Sequence, residues 1–264
     1  MQPFINIFGR DIPTYGLLLI SGAVIGWFLF SFLVKRKNLI NSNDAMFVYL
    51  IAISGAGIGS VTLRPIMNII GVIFSWENYR GRSIIELFNY VTGEVVFLGG
   101  LLGGLIAVVL FCRYYKISIP IVFDLAAPAV AIGHSIGRIG CLLGGCCFGM
   151  EVSSTHPFAI VYPTVSLGAP AGVPLLAVPI IESVFLLILA IVLTGVYLKS
   201  HKQGLSATGY LIFYPIGRFI LEFFRGDIIR GTYGWFTTSQ YISMGLFVFG
   251  ICYCLILQKR KLHV

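Results

Sequence analysis

The sequence predicts an all-α fold, a polytopic helical bundle that crosses a membrane about seven times and carries a cap on its outer, periplasmic side. Of its 264 residues, 58% are hydrophobic and only 11% are charged, whereas soluble domains carry about 25% charged residues. The mean hydropathy is +0.94, and apolar runs long enough to cross a bilayer recur along the chain. We therefore expect an integral membrane protein with membrane lipid as a partner and no nucleic acid.

The apolar runs set the predicted order of elements. The first run ends in Lys35-Arg36-Lys37 and resembles a retained span more than a cleaved signal peptide. Two irregular regions, near residues 75–94 and 137–178, are predicted to form the outer cap, and a re-entrant element is the alternative for the second. No linker-like stretch divides the chain, so we expect a single domain over residues 1–264. The predicted spans lie near residues 15–34, 45–64, 95–111, 119–137, 178–198, 207–224 and 239–257.

The distribution of lysine predicts the orientation in the membrane. With seven spans, all seven lysines fall in the loops on one side, and the other side has none. Because positively charged loops stay in the cytoplasm, we expect the N-terminus outside and the C-terminus inside.

Three arginines lie in segments that are otherwise apolar enough to be embedded in the membrane. These are Arg138 in AIGHSIGRIGCLLGGCCFG, and Arg218 and Arg225 in YLIFYPIGRFILEFFRGD. An arginine at mid-bilayer costs roughly 2.5–3.5 kcal/mol on insertion scales, so it normally faces a partner or a wet cavity. Arginine also binds phosphate through two parallel hydrogen bonds. The pattern predicts a site for an anionic, phosphate-bearing ligand at membrane depth, unless Arg138 only extends to the outer interface.

Carboxylates accompany these arginines. Arg218 and Arg225 are seven residues apart with Glu222 between them, so on a helix all three share one face. This group either holds a ligand or forms a self-contained ion network. Glu182, near the outer end of its span, is predicted to be a counter-ion for the arginines. Asp124, near the inner end of its span, is expected either to cap a helix or to lie at the membrane interface.

The string GRIGCLLGGCCFG (137–149) is the most unusual stretch. Its five glycines disfavour helix and expose backbone N–H groups, which beside Arg138 predict an anion-binding nest. The spacing of Cys141, Cys146 and Cys147 is not a zinc pattern, so we expect no metal, although His134 and His156 could complete a site in principle. Buried thiols are the default interpretation, and a disulfide is the alternative.

A second glycine pattern occurs in SGAGIGS (54–60) and FLGGLLGG (97–104). Small residues at this spacing favour close packing of membrane helices. Gly99 and Gly100 also permit a lipid headgroup or acyl chain to approach the backbone, and the two interpretations are compatible.

Together, these segments resemble the prolipoprotein diacylglyceryl transferase family, in order along most of the chain. The resemblance rests on TYGLLL at Tyr15, GEVVFLGGLLGGL (93–105), IGHSIGRIG with the following CLLGGCCFG, GRFILEFFRGD (217–227) and SQYISMG (239–245). It implies a seven-span inner-membrane bundle that transfers a diacylglyceryl group from phosphatidylglycerol to the cysteine thiol of a prolipoprotein signal peptide, without a cofactor. Glycerol phosphate is the leaving group.

The resemblance also implies roles for particular residues. Arg138, Arg218 and Tyr15 match essential positions, and Arg225 and Glu222 match further functional ones. Gly99, Gly100 and Glu182 are expected to help bind phosphatidylglycerol.

The chain departs from the family pattern at Leu98, where most members have a histidine. His134 is a substitute candidate for the general base. This departure leaves an alternative function open, a homologue that binds phospholipid or lipoprotein without transfer, or that uses a different acceptor.

Overall fold

The computed structural model describes residues 4–7, 9–74, 83, 86, 97–163, 168–226 and 232–260. These residues fold into two compact units, one formed by Met1–Lys37 with Pro120–Val264 and one by Asn38–Ile119. One domain for the whole chain stays a prediction. The described residues contain seven long helices: α1 (Thr14–Lys37), α2 (Ser42–Phe74), α3 (Phe97–Tyr114), α4 (Ile119–Gly144), α5 (Val178–Lys199), α6 (Leu205–Glu222) and α7 (Thr238–Arg260).

The predicted class, a helical membrane protein, is confirmed. Five of the described helices are long and apolar enough to cross a membrane, namely α1, α2, α4, α5 and α7. The apolar part of α3 is shorter, and α6 contains Arg218 and Glu222, which lower its hydropathy. Large apolar side chains such as Phe28, Ile188 and Val248 are more than half exposed, as expected for helices that contact lipid.

Glycines hold α2 and α3 together in the unit Asn38–Ile119. A Cβ atom on Gly99 would lie 2.2 Å from the carbonyl oxygen of Gly59, and one on Gly103 would lie 2.3 Å from that of Gly55. Since real Cβ atoms do not approach backbone atoms this closely, only glycine lets these two backbones pack at their observed separation. The helix-packing interpretation of the glycine pattern is confirmed for Gly99.

We expect Gly103→Ala to lower the thermal midpoint of the detergent-purified protein, because overpacking costs about 1–3 kcal/mol. Gly57→Ala is the matched control, since nothing lies within 4 Å of its added methyl group. Alanine favours helix over glycine, so the control should be as stable as the native chain or more stable. Equal midpoints for the two variants would contradict this packing.

In the larger unit, a short antiparallel hairpin precedes α1. Its strands are β1 (Phe4–Ile7) and β2 (Arg10–Pro13), with Phe4 opposite Pro13. Gly9 occupies the turn with a φ of 77°, and the side-chain amide of Asn6 donates to Asp11 Oδ1 at 2.9 Å. The hairpin leads directly into α1, in which Tyr15 is the second residue.

Asp124 of α4 caps a different helix from its own. Its carboxylate accepts hydrogen bonds from the backbone N–H groups of Gly204 and Ala207, the latter at 2.9 Å. Gly204 has a φ of 83° at the N-cap position of α6 and offers no side-chain cap, so Asp124 satisfies amides that the helix leaves unpaired. The predicted capping role is confirmed.

Asp124→Ala should lower stability by about 1–2 kcal/mol, the usual cost of losing a cap. Asp124→Asn keeps one acceptor oxygen and should lose less. Thermal midpoints in detergent rank the three proteins. An alanine variant as stable as the native chain would show that water replaces the cap.

Helix α4 continues to Gly144, seven residues past the predicted end of its span, so residues 137–144 are helical and do not belong to the irregular cap. The N–H of Cys146 donates to the carbonyl of Cys141 at 3.0 Å, and that of Gly145 to Leu142 at 3.3 Å. With Gly145 at a φ of 72°, these bonds form a Schellman turn. The string GRIGCLLGGCCFG therefore begins as helix, and its glycines end α4 at Gly144. They do not keep the first part of the string from being helical.

The segment between α4 and α5 has its own small core. Strands β3 (Ala159–Val161) and β4 (Pro174–Leu176) pair antiparallel, and Leu175 of β4 is buried together with Tyr162 and Ala169. A last hairpin, β5 (Thr232–Tyr233) with β6 (Phe236–Thr237), precedes α7. Apart from residues 83 and 86, the predicted cap region 75–94 lies outside the described residues.

Candidate functional site

Helices α4 and α5 bring Arg138 to Glu182. Guanidinium Nη2 lies 3.0 Å from carboxylate Oε1, with side chains 13% and 1% exposed. The register between the helices is fixed nearby, since the hydroxyls of Ser135 and Ser183 each donate to the other residue's carbonyl at 2.8 and 2.9 Å. Glu182 is thus the counter-ion of Arg138, and the serine pair, which sequence reasoning missed, positions both.

His134 lies one helical turn before Arg138 and supports it. Arg138 Nε donates to His134 Nε2 at 3.2 Å, and the imidazole packs against Tyr214 with ring centroids 5.3 Å apart. The hydrogen bond uses the lone pair that a general base would need to accept a proton. This geometry favours a positioning role for His134 over the predicted substitute base.

Arg218 and Glu222 of α6 form a buried ion pair at 2.6 Å, with side chains 6% and 2% exposed. The hydroxyl of Thr237, just before α7, donates to Glu222 Oε1 at 3.0 Å. Arg218 Nη1 is buried and has no hydrogen-bond partner among the described residues. A buried guanidinium N–H without an acceptor is costly, so this atom indicates where an anionic ligand fits.

Arg225 does not share a helical face with Arg218, contrary to the prediction. Helix α6 ends at Glu222, because the following backbone pairs with the cap: Met150 N–H donates to Phe224 at 2.9 Å and Gly226 N–H to Phe148 at 3.1 Å. A Cβ on Gly226 would lie 2.4 Å from the Gly149 carbonyl oxygen. The two backbone segments can therefore approach this closely only with glycine at position 226. Arg225 is thereby held against the cap, beside the cysteine-containing turn.

Tyr15 at the start of α1 lies beside the end of α4. A Cβ on Gly140 would be 3.1 Å from Tyr15 Cδ2, so Gly140 makes room for the phenol ring. The phenol interacts electrostatically with Arg138 and with the thiols of Cys141 and Cys146. Tyr15, Arg138 and the cysteine-containing turn therefore belong to one neighbourhood.

The Sγ atoms of Cys141, Cys146 and Cys147 lie within 4.8 Å of one another. Hydrogen bonds from the Cys141 and Cys146 thiols lower the pKa of Cys147, and the positive charges of Arg225 and Arg138 lower it further. Sequence spacing did not predict this cluster. His156 is exposed, and its Nδ1 accepts a hydrogen bond from the N–H of Phe158.

Gly99 and Gly100 belong to the smaller unit, where both are buried. A Cβ on Gly100 would lie 3.2 Å from the Ala56 carbonyl oxygen, a milder contact than the one at Gly99. Their role in binding phosphatidylglycerol stays a prediction. Leu98 lies in the first turn of α3.

The fold and the site define a class of protein, a helical membrane protein with buried, carboxylate-paired arginines that leave a guanidinium donor available to an anion. Comparison with known proteins narrows this class. A family model described as "Prolipoprotein diacylglyceryl transferase" matches residues 2–256. The chain belongs to this family, and it is a multi-pass bacterial membrane protein.

Three individual relatives support the same family assignment. The chain is 34% identical over 249 residues to the Clostridium perfringens protein named phosphatidylglycerol–prolipoprotein diacylglyceryl transferase 2, covering 93% of this chain and 91% of the relative. It is 32% identical to the Clostridium tetani transferase, with 95% and 98% covered. It is 28% identical to the transferase of Geobacter sulfurreducens, with 98% and 95% covered.

Proposed function

We propose that this chain transfers the diacylglyceryl group of phosphatidylglycerol to the lipobox cysteine of prolipoproteins, and that Arg138 and Arg218 bind the phosphate that leaves. The observation that carries the site assignment is Arg218 Nη1, a buried donor without a hydrogen-bond partner among the described residues. A phosphate oxygen supplies the acceptor that this nitrogen needs.

The charge of the site supports the same assignment. Arg138 pairs with Glu182 and Arg218 with Glu222, while Arg225 adds a third cation. Three guanidinium groups in one neighbourhood suit the negative charge of a phosphodiester. The glutamates hold the guanidinium groups in place before the ligand binds, so little reorganisation is required.

The reaction replaces a carbon–oxygen bond with a carbon–sulfur bond. The acceptor thiol, as thiolate, attacks the glycerol carbon, and the electron pair of the broken bond passes to the phosphate, which leaves as glycerol phosphate. Negative charge on the phosphate oxygens increases as that bond breaks. Fixed guanidinium donors in a site shielded from water stabilise this charge more in the transition state than in the ground state.

Tyr15 and His134 act around Arg138 in this proposal. Tyr15, at the start of α1, lies near Arg138 and offers its phenol hydroxyl to the glycerol headgroup. His134 keeps Arg138 oriented through the hydrogen bond to its Nε.

We place the chain in the cytoplasmic membrane with its N-terminus outside and its C-terminus inside, which the lysine distribution supports.

The test is a transfer assay with purified protein in detergent, phosphatidylglycerol and a lipobox peptide, read by mass spectrometry of the peptide cysteine. We expect a diacylglyceryl adduct from the native chain and none from Arg218→Ala. Well-folded native protein that binds phosphatidylglycerol but forms no adduct would instead support a lipid-binding homologue. An adduct that persists in Arg218→Ala would remove the phosphate-binding role.

A further inference from the structure

The cysteine cluster is a second chemical feature of this molecule, and the geometry of its turn creates it. The Schellman turn at the end of α4 folds Cys146 back over Cys141, whose carbonyl it contacts through both N–H and Sγ. Cys147 follows with a φ of 61°, a conformation that non-glycine residues rarely adopt. This conformation is part of the backbone path that places the third sulfur with the other two.

Three sulfurs at this separation form a ligand set for a thiophilic metal ion. The sulfurs of a tetrahedral zinc site lie about 3.8 Å apart, since the Zn–S distance is about 2.3 Å, and these three lie within 4.8 Å of one another. Small side-chain rotations bring them to one ion. Three protein ligands and one open position are also the arrangement of catalytic, as opposed to structural, zinc sites.

The surroundings of the cluster suit a metal thiolate centre. Three thiolates around a divalent ion carry a net charge of about −1, and Arg138 and Arg225 are close enough to interact electrostatically with Cys147. Tyr162 lies on the cap side, interacts with all three thiols and is only 1% exposed. Its hydroxyl is buried without a hydrogen-bond partner among the described residues, so it can donate to a sulfur or a fourth ligand at this centre.

Such a centre would serve the proposed reaction, because its nucleophile is a thiol that reacts as thiolate. The carboxylates of the described arginine site are already paired with guanidinium groups, and His134 Nε2 accepts a hydrogen bond from Arg138. None of these groups is therefore well placed to take the acceptor's proton. A metal ion removes this difficulty, since a thiol that coordinates a divalent zinc ion is deprotonated outright.

We propose that Cys141, Cys146 and Cys147 bind a zinc ion whose fourth position accepts the prolipoprotein cysteine as thiolate. This inference rests on the proposed transfer. The acceptor thiol releases its proton to solvent on binding the ion. Its sulfur then forms the bond to the glycerol carbon, the carbon–oxygen bond to phosphate breaks, and the thioether product leaves the metal. No oxidant or reductant takes part.

Metal binding is tested first on the native protein, without variants. The purified chain is stripped with a chelator under reducing conditions and titrated with Co²⁺, then with Zn²⁺. We expect one Co²⁺ per chain, with the sulfur-to-cobalt charge-transfer absorption of thiolate ligands, and displacement by Zn²⁺. Absence of binding, or cobalt without sulfur absorption, overturns the proposal.

Variants then assign the ligands. Serine at Cys141, Cys146 or Cys147 should each weaken binding roughly tenfold or more, whereas Cys252→Ser, at an exposed thiol on α7, should bind as the native chain does. A lipobox peptide with cysteine should add a sulfur ligand and change the cobalt spectrum, and the same peptide with serine should not. An unchanged spectrum with the cysteine peptide overturns the open-position role.

Activity separates this inference from the proposed function. Removal of zinc should lower transfer at least about tenfold, with recovery when Zn²⁺ is restored. Full transfer by metal-free protein would overturn the metal site and leave the transferase intact. Stoichiometric zinc binding without any adduct would support the metal site and overturn the proposed transfer. A disulfide among the three cysteines in active protein, detected by alkylation and mass spectrometry, would also overturn the proposal.

Discussion

Replacing Arg218 with lysine should reduce transfer roughly 100-fold or more, while the protein still folds and inserts. Loss of one preorganised donor to a developing oxyanion typically costs a factor of about 10²–10³. Lysine keeps the positive charge and can still approach Glu222. It cannot present two parallel N–H groups, so it does not reproduce the donor Nη1 that lacks a hydrogen-bond partner among the described residues.

The measurement is the single-turnover rate of adduct formation at saturating phosphatidylglycerol, with a thermal midpoint as a check on folding. Arg36→Lys is the matched control, because Arg36 is exposed at the end of α1. It should transfer at the native rate. A similar rate for Arg218→Lys would mean that Arg218 contributes only charge. The proposal that its guanidinium group binds the phosphate through specific N–H donors would then have to be abandoned.

The arginine site was largely predictable, because a charged residue in an apolar segment requires a partner. That rule predicted Glu182 as a counter-ion for the arginines, and the structure pairs it with Arg138. The helical-spacing argument failed at Arg225, which lies seven residues after Arg218 but beyond the end of the helix. The sequence does not reveal that backbone pairing with residues 148–150 ends α6 first, since this is a contact between distant segments.

The cysteine cluster was the opposite case. A C-x4-C-C spacing does not match the usual zinc patterns, and glycines around it indicated broken helix. Both arguments, from cysteine spacing and from glycine content, assumed that residues 137–149 are either entirely helical or entirely irregular. In the structure it is a helix end, and the Schellman turn at Gly145 together with the left-handed Cys147 brings together sulfurs that linear spacing keeps apart. Glycine patterns in membrane proteins are therefore ambiguous between close packing, as at Gly99, and helix termination, as here.

Neutralising Glu182 should destabilise the protein more than any other single change considered for this site. Glu182→Gln keeps the size of the side chain but leaves Arg138 with a buried, uncompensated charge, which typically costs 3–5 kcal/mol. At about 2–4 °C per kcal/mol for a chain of this size, we expect the thermal midpoint in detergent to fall by roughly 10 °C. Glu151→Gln, at an exposed glutamate, is the matched control and should change little.

A double-mutant cycle separates the ion pair's structural contribution from its catalytic one. Arg138→Gln combined with Glu182→Gln removes both charges, so it should be more stable than Glu182→Gln alone, with a coupling energy of about 1 kcal/mol or more. The double variant should nevertheless lack transfer activity, since the guanidinium that we propose binds the phosphate is gone. Recovery of both stability and transfer would mean that Arg138 serves only as the partner of Glu182. Stability losses that simply add would mean that the 3.0 Å contact contributes nothing to the folded state, because two groups that do not interact cannot be coupled.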